Sequence, residues 1–186
     1  MKFIFRFILV SLACSSAYAA GPRIAFVLAE HEYDTARTVT AFFESELKPL
    51  GFTADYVTAP GEGDGQNDLK GVEKALAKAD LLFVSVRRRA PKVSQMKAIR
   101  AWVQAGKPVV GIRTANHAFH LRGKPAPQGH ALWEEWDTEV IGGHYTNHHG
   151  KNKKTWFLFE PTAKGHPILN GLQAAEEVPS GGSLYK

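Results

Sequence analysis

Four strand-like runs recur along this chain at regular intervals, and each is followed by a polar loop and a stretch of helical periodicity. They are RIAFVLA (23–29), TADYVTA (53–59), DLLFVSV (80–86) and PVVGIRT (108–114). The first and third are nearly continuous in apolar residues, as expected of strands buried on both faces. Between them, Val39, Phe43, Leu47 and Leu50 fall on one helical stripe, with Asp34 or Thr35 placed to cap it. Leu69, Val72, Leu76 and Ala79 form a second stripe. Met96, Ile99 and Val103 form a third, with Ser94 as the expected cap and Gly106 as the stop. Alternation of this kind predicts an α/β fold: a doubly wound, mostly parallel sheet with helices on both faces. In such sheets ligands bind beyond the carboxyl ends of the strands. The rule selects EHEYD, GEGDGQ, RRRAPK and RTANHAFH as the functional loops, with residues 115–154 extending from the same edge before TWFLFEP (155–161) resumes a strand-like pattern.

The amino terminus reads differently. Lys2 and Arg6 precede an apolar run, and Ala17 and Ala19 supply the small residues a signal peptidase requires. The run falls short of the about 20 apolar residues a membrane-spanning helix needs. Residues 1–19 therefore read as a secretory signal, cleaved after Ala19, and the expected location is periplasmic or secreted. A lipid anchor on Cys14 is disfavoured, because Ser11 stands where a large aliphatic is wanted. Cys14 is the only cysteine, so cleavage leaves none, which rules out a cysteine nucleophile, a disulfide and a thiolate metal site. It also leaves 167 residues, enough for one domain, residues 20–186, with a sizeable core. Their 21 basic and 18 acidic residues give +3, too mild a charge to argue for a nucleic-acid partner.

Candidate chemistry concentrates in the selected loops. After the first strand, His31 suits a general acid or base beside Glu32, Tyr33 and Asp34; the alternative is a helix-entry turn capped by Asp34. After the third, Arg87, Arg88 and Arg89 form a basic run, of which at least one is expected to be solvated and one, Arg87, to bind ligand. After the fourth, Arg113 occupies the place of a nucleophile elbow, with Thr114, Asn116 and His117 following. No G-x-S-x-G is present. An arginine is no nucleophile, but its fork of donors can hold a carbonyl or an oxyanion. Trp133, Trp136 and Val140 in LWEEWDTEVIGG read as a helical core stripe rather than a sugar platform.

The densest string is GGHYTNHHGK (142–151). His144 and His148 stand four apart and, with His149, are the candidate ligands of a divalent metal, although flanking glycines argue against a stable helix there. The other reading has one or two of these imidazoles, with Tyr145, meeting His31 or His117 across a cleft.

HEYD, VVGIRTANHAF, IGGHYTNHH, GHPILNGL and SLYK, in that order, make the chain similar to ThuA-like (trehalose-utilisation) proteins over residues 23–186. The resemblance implies a flavodoxin-like sheet related to class I glutamine amidotransferases, without their catalytic cysteine. It also implies a role in carbohydrate use, including breakdown of oxidised (3-keto) disaccharides and glycosides. Carried over by position, the resemblance falls on His31, Arg113 and His117, and on His144 with His148. Together with the loop reading, His31, Arg113, His117 and His148 are the expected catalytic residues, and Glu32, Tyr33, Arg87, Asn116, His144 and Tyr145 the expected substrate-binding ones. Arg113 stands where many relatives have a histidine, and relatives commonly continue beyond Tyr185, so a compact or truncated version is expected. The expected partner is a small sugar, and a homo-oligomer is compatible with the class. The expected reaction is cleavage or elimination at a glycosidic bond; the alternative is a sugar-binding module without turnover.

Overall fold

The structure, a computed structural model, describes residues 21–63, 65–149, 160–171 and 186. The signal-peptide assignment, most of TWFLFEP, and SLYK except its final residue lie outside the described residues. Strands β1 (Arg23–Ala29), β2 (Thr53–Thr58), β3 (Leu81–Val86) and β4 (Val109–Gly111) form one sheet, all parallel, in the order β2-β1-β3-β4. Helices α1 (Thr35–Phe42), α2 (Val72–Leu76) and α3 (Val93–Gln104) connect them in turn.

The period-two geometry of β1 divides its side chains between two cores. Ile24, Phe26 and Leu28 face Val39 of α1 and Phe43 beyond it. Ala25, Val27 and Ala29 face the opposite way, toward Val72 and Leu76 of α2 and Met96, Ile99 and Trp102 of α3. Because β1 is central and covered on both sides, its apolar run is almost uninterrupted and its residues Ile24–Ala29 are at most 3% exposed. Phe26 anchors the first core, its ring 5.2 Å from Tyr56 and 5.1 Å from Phe83. The second core is completed by the segment after β4: Ala115, Phe119, Trp133 and Trp136 pack there, so the tryptophan stripe is core, as expected.

Local boundaries depart from the sequence reading wherever a distant group intervenes. Asp34 has left-handed backbone (φ 52) and pairs with Arg37, while the amides at the start of α1 are capped by Glu30, whose buried carboxylate accepts from Tyr33 N and Thr35 N, both at 3.0 Å. Beyond Phe42 the helix widens into a π-turn, Phe43–Leu47, and then tightens at Pro49, which rotates Leu50 outward until it is 72% exposed. Ser94 does not cap α3. Its hydroxyl donates to Glu73, and Gln95 Oε1 instead accepts from Lys92 N at 3.0 Å and from Leu69 N at 3.1 Å. Strand β4 ends at Gly111, since Arg113 turns left-handed and opens a 3-10 turn, Arg113–His117. The Trp133–Val140 stretch is a set of tight and wide turns rather than one regular helix. Among the described residues no helix is long and apolar enough to cross a membrane.

Candidate functional site

The carboxyl ends of β1, β3 and β4 lie side by side, so the loops that follow them share one edge of the sheet. Backbone bonds extend that edge beyond the strands: Arg87 N donates to Ala29 O at 3.2 Å, Arg88 N to His117 O at 3.3 Å, and Arg89 N to Ala118 O at 2.7 Å. The arginine run is thereby threaded between the β1 loop and the 113–117 turn. The three guanidinium groups then part company.

Arg87 is exposed and pairs with Glu32 at 2.8 Å, so two expected substrate contacts are joined to each other. Arg89 is buried and donates to the Gly61 carbonyl at 3.0 Å and to Gln66 Oε1 at 3.3 Å, bracing the glycine-rich loop after β2. Arg88 turns inward: its guanidinium lies 5.9 Å from the centre of the Tyr145 ring and 3.5 Å from His120 Nδ1. Burial and the neighbouring Arg122 and Arg87 charges lower its affinity for its proton.

Two groups of expected residues are assembled. In the first, the Arg113 guanidinium stacks on the Tyr33 ring at 4.7 Å. His31 stands on the same β1 loop, exposed, with Nε2 2.8 Å from the Ala59 carbonyl. A carbonyl only accepts, so His31 carries its proton on Nε2 and its basic nitrogen is Nδ1. The ring also lies against Gly61, where an added Cβ would come within 3.1 Å of it.

In the second group, His117 is buried beneath Tyr145, ring centres 4.5 Å apart, with Nδ1 donating to Asn116 Oδ1 at 2.7 Å. Desolvation, aided by the nearby Arg88 charge and by His120, pushes its pKa down to about 3. At neutral pH it is therefore an uncharged ring. The Tyr145 hydroxyl is 2.9 Å from His148 Nε2, a distance at which a proton can pass between phenol and imidazole.

His144 is turned elsewhere: Nδ1 lies 2.9 Å from Oδ2 of Asp137, a carboxylate only 2% exposed that also accepts from Thr138 N and Tyr145 N. Asp137 thus sets the path of the loop that delivers Tyr145. The metal candidates His144, His148 and His149 do not gather, and among the described residues no three His, Cys, Asp or Glu side chains could hold a metal ion.

Three residues that matter here escaped the sequence reading, Glu30, Asp137 and His120, and within the basic run Arg87 was chosen as the ligand-binding member where Arg88 is the one that turns inward. Glu30 and Asp137 look like ordinary surface carboxylates until their backbone partners are seen. Arg88 differs from its two neighbours only in which way the chain turns it. His120 had a signal, since it stands three residues after His117 in the same loop.

Left-handed backbone at non-glycine residues is the remaining signature of this edge. Among the described residues it occurs at Asp34, Arg88, Arg113 and Arg122, with φ between 51 and 55. Such residues cost of order 1 kcal/mol or more each and persist where surrounding structure enforces them. No family model, no curated protein and no solved structure matches this chain.

Proposed function

We propose that the chain is an exported ThuA-like protein of flavodoxin-like fold that acts in carbohydrate catabolism, eliminating across the glycosidic bond of an oxidised, 3-keto sugar. The observation that supports this reading best is Arg113. It adopts strained backbone at the strand-to-turn junction where an α/β enzyme presents its key side chain, and its guanidinium is held on Tyr33 at the carboxyl edge.

A keto group acidifies the neighbouring C–H. His31 takes that proton on Nδ1, and the electron pair moves onto the keto oxygen, where the Arg113 guanidinium stabilises the enolate. As the enolate collapses, a C=C bond forms and the C–O bond to the glycosidic oxygen breaks. That oxygen takes its proton from the Tyr145 hydroxyl, which His148 replenishes. Water adding to the product enone turns elimination into net hydrolysis. None of these steps needs a covalent nucleophile, in keeping with a chain whose only cysteine is Cys14.

The test is product formation from a 3-keto-disaccharide, with and without a strong chelator. Turnover that survives chelation and falls at least about 100-fold in Arg113→Ala, the loss expected for an oxyanion-stabilising group, would support the reading. No turnover of the keto sugar would sink it. The second reading, sugar binding without turnover, is favoured by the pairing already present: His31 with Ala59, Arg87 with Glu32, His144 with Asp137. Saturable binding without product would establish that reading.

A further inference from the structure

A cleft of about 330 Å³ opens beside the second residue group, lined by Arg88, His120, Arg122, Tyr145, Thr146 and Asn147. Its volume lies at the lower end of the range for small-ligand sites. Its described lining side chains include two guanidinium groups and no carboxylate; the carboxyl group of Lys186 accepts from Thr146 and Asn147 at its rim. Among the described residues neither Arg88 nor Arg122 enters an ion pair, whereas Arg23, Arg37 and Arg87 each pair with a carboxylate. Arg88 Nε is, moreover, shut off from solvent with no hydrogen-bond partner among the described residues. A buried donor left this way is costly unless something accepts from it.

His120 adds a third donor. Its Nδ1 faces the Arg122 amide at 3.4 Å and the Arg88 guanidinium at 3.5 Å, both of which can only donate. The ring therefore bears its proton on Nε2. Burial and the two arginines keep it neutral, against the opposing pull of Asp137 and Glu134. Arg88 and Arg122 both have left-handed backbone, φ 52 and 55, which a glycine would adopt without strain. The chain carries a long basic side chain at both places despite that cost.

We propose that this cleft binds the oxyanion of a small ligand of monosaccharide size, a carboxylate or a phosphate, with Arg88 and Arg122 as its charge partners and the Tyr145 side as the wall for the ligand's body. Guanidinium groups suit this role because their planar donors pair with an oxyanion in bidentate fashion. The site uses neither His31 nor Arg113 and shares only Tyr145 with the proposed elimination, so anion binding is read separately from keto-sugar turnover.

The experiment is calorimetric titration of the full chain at low ionic strength with glucuronate, glucose 6-phosphate and neutral glucose. The expected result is at least a tenfold preference for one or both anions over glucose, weakened by added salt. Glucuronate alone would identify a carboxylate ligand and glucose 6-phosphate alone a phosphate ligand. Arg122 is exposed, so Arg122→Gln should fold and should lose at least tenfold in anion affinity; Arg88→Gln should do the same. Binding of both anions no tighter than glucose, or undiminished by Arg122→Gln, would overturn the proposal.

Discussion

His117 illustrates how a single side chain couples the site to stability. Its ring is 3% exposed, and burial together with nearby arginines holds its pKa at about 3, against 6.5 for an exposed imidazole. Below pH 6.5 the unfolded chain takes up a proton there that the folded chain refuses. The stability contributed by the neutral ring is thus fully present above pH 6.5 and is lost as pH falls toward 3, with a slope of up to about 1.4 kcal/mol per pH unit. Urea unfolding at pH 7, 6 and 5 should show this slope, and His117→Asn should flatten it while lowering stability at pH 7. At Arg113 the trade runs the other way. Arg113→Gly removes the strain of φ 51 and the stack on Tyr33 together. Stability should therefore stay within about 1 kcal/mol of the parent, while turnover or sugar binding is lost.

Among the elements, the joints between loops and helices depend on side chains far away in sequence. Gln95 is the clearest case: buried in α3, it accepts from Leu69 N and Lys92 N and donates to Asp68 Oδ1 at 2.6 Å. Gln95→Leu would keep the volume and strand both amides, for a loss of about 2–4 kcal/mol in urea unfolding. The same non-locality limits what the sequence discloses. Strands β1 and β3 were legible because burial on two faces writes itself as a continuous apolar run, and the stripes Val39–Phe43 and Met96–Ile99 were legible because one face is buried. The caps were not, because Glu30 lies before the loop it organises and Gln95 serves an amide 26 residues away. Leu50 was misread because a π-turn and a proline break the period that its spacing assumed.

At the scale of the whole molecule, the strand order β2-β1-β3-β4 explains why the polar loops of the first, third and fourth strands converge, which the carboxyl-edge rule anticipated. It joins Tyr33 to Arg113 and Glu32 to Arg87, both pairs drawn from expected site residues. It does not decide which of three adjacent arginines turns inward; that depends on the 117–122 and 145–147 segments packing against Arg88. Export belongs to this scale as well. If residues 1–19 are a cleaved signal, amino-terminal sequencing of protein recovered from the periplasm or medium should begin at Ala20; an uncut Met1 would refute export by that route.

The Trp136 indole N–H donates to the Ala115 carbonyl at 2.7 Å, inside the turn that carries Arg113 at one end and His117 at the other. The molecule thus contains its own optical reporter. An indole held by one hydrogen bond in a dry core emits at short wavelength, and a displacement of the turn that lengthens this bond changes the polarity the indole senses. With Trp102, Trp133 and Trp156 replaced by phenylalanine, ligands could be screened by their effect on emission alone, before any reaction product is known.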